Sequence, residues 1–190
     1  MSAHKIHGPK GIGALFVRKG TPLDPLLYGG RQERERRGGT EDVPAAIAFA
    51  RAVELCSDAA AAHCTVLRDR FEAQVLGSLP DVEVNGDTDA RLPNTSNLLF
   101  RGVSGEALLI ALDLKGMAVS TGSACSSGSI EPSPTLLAMG RTREEAGSSV
   151  RFSFGRYNTA EEIDALADAV IASVRQFRDR APKEKRLVEV

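Results

Sequence analysis

The chain has 190 residues, 42% of them hydrophobic, with 24 basic and 25 acidic side chains that leave a formal charge of -1. That length and apolar content suffice for one ordinary domain or two small ones, and the balanced charge excludes a strong pull towards nucleic acid or an anionic membrane surface. No apolar run approaches the roughly 20 residues of a bilayer span, and three cysteines without framework spacing suit a reducing compartment, so a cytoplasmic globular protein is expected.

The chain opens on SAHKIHGPKG, a cluster of serine, histidine and lysine closed by a glycine-proline turn. Gly13 to Val17 (GALFV) reads as a short apolar strand. GTPLDPLLYGGRQERERRGGTED is too rich in glycine, proline and arginine for a helix or strand interior, so it is expected to be a long ordered loop, a kind of segment that is often functional. From Val43 to about Gly77, Val43, Ile47, Ala50, Val53, Val66 and Phe71 fall at helical spacing. This predicts one long helix or two in tandem, capped by Thr40 or Asp42, with Pro44 in the first turn and Gly77 with Pro80 at the end. VEVNGD and TSNLLFRG follow as strands, Gly105 to Leu114 as a helix, and AVS as a short strand. Val150 to Phe154 reads as another strand. The last helix starts on a capping box at Thr159 to Glu162, ahead of an apolar stripe at Ile163, Leu166, Val170 and Val174. The polar tail APKEKRLVEV is expected to fray. No internal repeat is visible, and the alternation of strands and helices argues for α/β or α+β layering.

Lys5 is either a solvated surface lysine or a Schiff-base lysine, an amine able to condense with a carbonyl cofactor. Ser2 and His4 beside it offer a hydroxyl and an imidazole for an anionic phosphate. Cys125 lies in STGSACSSGS, a stretch of small residues that buries little surface and is expected to be exposed and mobile. A thiol presented in that way is a candidate nucleophile. Cys56 and Cys64, on the predicted helix, read as small apolar fillers.

Four segments taken together resemble one family. SAHKIHGPKGIGALFV is similar to the cofactor-lysine segment of the cysteine desulfurases, pyridoxal 5'-phosphate enzymes of the class V aminotransferase group and fold type I. GGRQERERRGGTED resembles the family's GGxxERxxRxGT segment, STGSACSSGSIEPS its catalytic-cysteine loop, and SSVRFSFGRYNTAEEID its carboxylate-binding arginine segment. The resemblance implies that Lys5 joins the cofactor and later moves the substrate's alpha proton, while Ser2 and His4 bind the cofactor phosphate. It implies further that Thr40 reaches the phosphate of the opposite subunit in a homodimer and that Arg151 grips the substrate carboxylate. Cys125 would take sulfur from L-cysteine as a persulfide, leaving alanine, and pass it to an acceptor or iron-sulfur scaffold protein. No metal, nucleic acid or membrane partner is expected.

Family members run to about twice this length. The resemblance therefore implies a C-terminal half: residues 1–62 as the end of the cofactor-binding large domain and residues 63–190 as an α+β small domain. Two other readings stay open at this point. One is a selenocysteine lyase or other class V relative that keeps Lys5 and Arg151 without depending on Cys125. The other is a truncated, inactive fragment that at most mediates binding or dimerisation.

Overall fold

The computed structural model describes residues 1–121 and 132–180. The chain divides into two compact units, Met1–Asp58 and Ala59–Val190, and the secondary structure is mixed α/β with one small antiparallel sheet.

In the first unit a 3-10 turn, Ala3–Ile6, ends on His7 in the left-handed region (φ 66°). Four backbone bonds clamp the turn: Ala3 N to Ile12 O (3.0 Å), Lys5 N to Ser2 O (3.1 Å), Gly8 N to Ala3 O (2.9 Å) and Ala14 N to Met1 O (2.8 Å). The predicted strand at Gly13 to Val17 does not form. Only Gly13 bridges, to Ser2, and Phe16 is 89% exposed, because no neighbouring strand in this unit offers a ladder or an apolar face. The long loop contains a single turn, α1 (Gln32–Glu35), in which Glu33, Arg34 and Glu35 all have positive φ. It is a left-handed turn rather than a true α-helix, a conformation that disfavours any residue carrying a Cβ.

The Val43 to Gly77 stretch resolves as two helices, α2 (Val43–Glu54) and α3 (Asp58–Ser78). Asp42 caps α2 by accepting from Ala45 N at 3.0 Å, with Pro44 in its first turn. The 3-10 turn packs on α2. A Cβ at Gly8 would lie 3.0 Å from the Ala3 Cβ and 3.2 Å from that of Ala52, so any side chain there would press on both and glycine allows the close approach. Phe49 and Ala52 are the buried residues of α2, whereas Val43, Ile47 and Val53 are exposed. The apolar spacing marks the helix correctly but not the face that this unit covers. Cys56 is exposed and lies in the break between the two helices, contrary to the filler reading, while Cys64 is buried on α3 as expected.

In the second unit, β1 (Val82–Val84), β2 (Thr95–Phe100) and β3 (Ser149–Ser153) form the sheet in the order β1-β2-β3, all antiparallel. AVS contributes a single bridge, Ser120 to Arg151. Period-2 alternation sends Leu98, Phe100, Val150 and Phe152 to one face, where they join Phe71 and Val75 of α3, Leu108 and Leu112 of α4 (Gly105–Asp113), and Val170 and Val174 of α7 (Ala160–Arg180). Phe71 packs on Phe152 with ring centroids 4.6 Å apart. The predicted capping box starts α7: Glu162 N donates to Thr159 Oγ1 (3.3 Å) and Thr159 N to Glu162 Oε2 (3.1 Å). Two short helices, α5 (Pro134–Ala138) and α6 (Arg143–Gly147), precede β3. The tail from residue 181 lies outside the described residues.

Candidate functional site

The structure presents Ser2, His4 and Lys5 together on the clamped 3-10 turn, and all three are exposed. The Ser2 hydroxyl makes no cap bond to the turn, so it is left to donate elsewhere. A hydroxyl, an imidazole and a primary amine held on one short turn are a donor set that fits a phosphate group next to an aldehyde carbon. The backbone bonds fix the turn from both sides without engaging these side chains. That is the physical value of the glycine-proline closure that follows it.

Thr40 lines an open cleft of about 1060 Å³ with Leu15, Arg36, Arg37 and Asp42; Met1 and Gly13, the chain neighbour and the bridge partner of Ser2, line it too, whereas Ser2, His4 and Lys5 do not. The left-handed turn contributes Glu33 and Arg34 to the same cleft.

Arg151 lies in the second unit, on β3. Its N–H donates to Ser120 O (2.6 Å) and its C=O accepts from Ser120 N (3.1 Å). It stands opposite Asn97 in the β2-β3 register, so its side chain leaves the sheet on the face away from the Phe71–Phe152 core. Its Nε is buried without a hydrogen-bond partner among the described residues. A guanidinium group with an open prong is suited to an anion. Cys125 lies outside the described residues; the bridge at Ser120 is on its N-terminal side and Ser133, buried ahead of α5, on its C-terminal side.

Reasoning from the sequence missed the polar neighbours of Arg151. Asn85 Nδ2 donates to Asn97 Oδ1 (2.8 Å) and to Ser149 Oγ (3.0 Å), and Ser149 Oγ donates to Glu145 O (2.7 Å). The signal was present in TSNLLF, where Asn97 takes the polar side of the alternation. Its partners depend on strand register, which a single strand does not encode. Elsewhere on the same unit a charge network joins Glu83 to Arg101 and Arg141, and Arg101 to Glu145. The two arginines and the hydrogen bonds they donate hold the Glu83 carboxyl below the usual carboxylate range. Among the described residues no group of His, Cys, Asp and Glu is placed to hold a metal ion, and no helix is long and apolar enough to cross a membrane.

Residues 1–166 match the family described as aminotransferase class-V. The chain belongs to that family. A cysteine desulfurase of Trichormus azollae is 48% identical over 185 residues, which cover 96% of this chain and 46% of that protein. Among solved structures, a NifS-like protein superposes with a TM-score of 0.74 at 35% identity, over 92% of this chain and 45% of its own. The structure of SspA in complex with cysteine gives 0.62 at 32% identity, over 83% and 44%. This aminotransferase class-V chain thus spans about half the length of the curated relatives it matches.

Proposed function

We propose that this chain is the lysine- and cysteine-bearing C-terminal part of a cysteine desulfurase, acting on L-cysteine with pyridoxal 5'-phosphate as cofactor. The observation that carries the reading is the Ser2, His4 and Lys5 turn, whose amine, imidazole and hydroxyl are exposed side by side in a member of the aminotransferase class-V family. The cofactor, when bound, supplies an electron sink for the substrate carbons. Lys5 holds the cofactor aldehyde through its amine and moves the alpha proton of the substrate. Ser2 and His4 donate to the phosphate oxygens. Arg151 takes the substrate carboxylate with its forked donors. The Cys125 thiolate bonds the substrate sulfur as the carbon-sulfur bond breaks. The electron pair of that bond stays with carbon, which gains a proton and leaves as the methyl group of alanine.

On this reading residues 1–62 complete a large domain and residues 63–190 are the small domain. The assembly is a homodimer in which Thr40 serves the phosphate of the other subunit; its exposed position in an open cleft supports that role. The persulfide of Cys125 passes to an acceptor or iron-sulfur scaffold protein in the cytoplasm. One feature favours the inactive binding module instead: the first unit leaves Leu26, Tyr28 and Ile47 exposed.

Borohydride reduction of the purified chain with added pyridoxal phosphate, followed by mass mapping, separates the two. A stoichiometric pyridoxyl mass confined to Lys5 is expected. Scattered or absent labelling would leave only the binding module.

A further inference from the structure

Four polar residues cross the sheet of the second unit in one row. Asn85 N donates to Asn97 O (2.8 Å), Asn97 stands opposite Arg151, and Arg151 pairs its backbone with Ser120. Residues in such a row share a face. The ladder bonds of β2 and β3 fall on alternate rows, with Phe100 N donating to Ser148 O (2.9 Å) and Phe154 N to Asn94 O (2.9 Å). Counting inwards by twos makes Asn97 and Arg151 a pair without ladder bonds between them. In antiparallel sheets that kind of pair brings side chains closest, with Cβ atoms about 4.5–5.5 Å apart.

The chemistry of this pair is one-sided. Asn85 Nδ2 holds the oxygen of the Asn97 amide at 2.8 Å, and Asn85 is itself placed by Ser149 at 3.0 Å. The Asn97 amide is thereby oriented: its oxygen is engaged and its NH2 end remains a donor. The neighbouring Arg151 Nε is a buried donor with no partner among the described residues. A buried donor such as Arg151 Nε is costly unless an oxygen supplies it a lone pair, and Asn85 Oδ1, an acceptor in the same row, is also buried without a partner.

We propose that Asn97 is a second carboxylate-binding residue: its Nδ2 and the Arg151 Nε share the carboxylate of a small amino acid, and the Asn85–Ser149 pair holds Asn97 in the donating orientation. This rests on the reading of Arg151 as the carboxylate grip.

The test uses the full chain, the Arg151 Nε–H resonance in nitrogen-15 NMR, identified by its loss in Arg151→Lys, and titration with L-alanine against alaninol, which lacks the carboxylate. L-alanine and not alaninol is expected to shift the resonance. Asn97→Asp preserves an oxygen for Asn85 but replaces the donor end with an acceptor that Arg151 can bond. The resonance should then move without ligand and cease to respond to L-alanine, with thermal stability kept. Asn97→Ala should weaken the apparent affinity about tenfold. If Asn97→Asp responds to L-alanine as the unaltered chain does, the role of Asn97 is overturned while that of Arg151 stands. If the unaltered chain shows no response to the carboxylate, both are overturned.

Discussion

The two units differ in how they hold their shape. In Met1–Asp58 the buried apolar residues are Ala3, Phe49 and Ala52, while Phe16 is 89% and Leu26 94% exposed. The turn that carries Lys5 is kept in place by backbone bonds and by the Ala3, Gly8 and Ala52 contact with one helix. In Ala59–Val190 three helices and a sheet close around Phe71, Phe100 and Phe152, all fully buried. The second unit carries its own hydrophobic driving force. The first carries the candidate residues Ser2, His4 and Lys5 on a scaffold in which most large apolar side chains face outward, so burial within this unit contributes little to holding it.

The contrast predicts where the chain breaks. Phe152→Ala should cost about 3–5 kcal/mol of stability, since it removes a fully buried ring and leaves a cavity between Phe71 and Phe100, whereas Ile47→Ala, at 66% exposure, should leave the denaturation midpoint nearly unchanged. Denaturant unfolding followed by far-ultraviolet circular dichroism checks both, and comparable losses would erase the distinction between the units.

A smaller but still large effect is expected from charge. Arg91 donates through both terminal nitrogens to Glu72 (2.7 Å each), tying α3 to the loop before β2, and Glu72 is buried. Glu72→Gln leaves the largely buried Arg91 guanidinium with only the more distant, half-exposed Asp69 (4.0 Å) as an ion-pair partner and should destabilise the second unit by about 3 kcal/mol. Arg51 and Glu54 in the first unit are an exposed pair, and Glu54→Gln there should cost less than about 0.5 kcal/mol.

The smallest effect depends on pH. Arg70 and Gln74 donate to Asp164 and lower its pKa from 3.8 to about 2. A carboxyl whose pKa is lower in the folded state contributes stability that is fully present above pH 3.8 and is lost as the pH falls through about 2. Asp164→Asn should therefore flatten the acid side of the stability profile between these values. An unchanged profile in acid titrations would show that this surface link between α3 and α7 contributes nothing measurable.

Much of the second unit was legible from local chemistry. The Thr159–Glu162 capping box, the apolar stripe at Ile163, Val170 and Val174, and the strands at VEV and TSNLLF all form where their patterns indicate. These signals act within a few residues of themselves, and the core that completes them lies in the same unit. The pattern misled at Gly13 to Val17 and along Val43, Ile47 and Val53, because an apolar run says only that a surface wants covering.

The sequence alone singled out the candidate residues, namely the Ser2, His4 and Lys5 cluster, Cys125 and Arg151, and set the order of the elements, since spacing, capping and turn closure are properties of neighbours along the chain. The tertiary structure decided that Thr40 lines an open cleft with Met1 and Arg36 and that Asn85, Asn97, Arg151 and Ser120 form one row. That row joins segments far apart in sequence through strand register, and register is set by which faces are buried together.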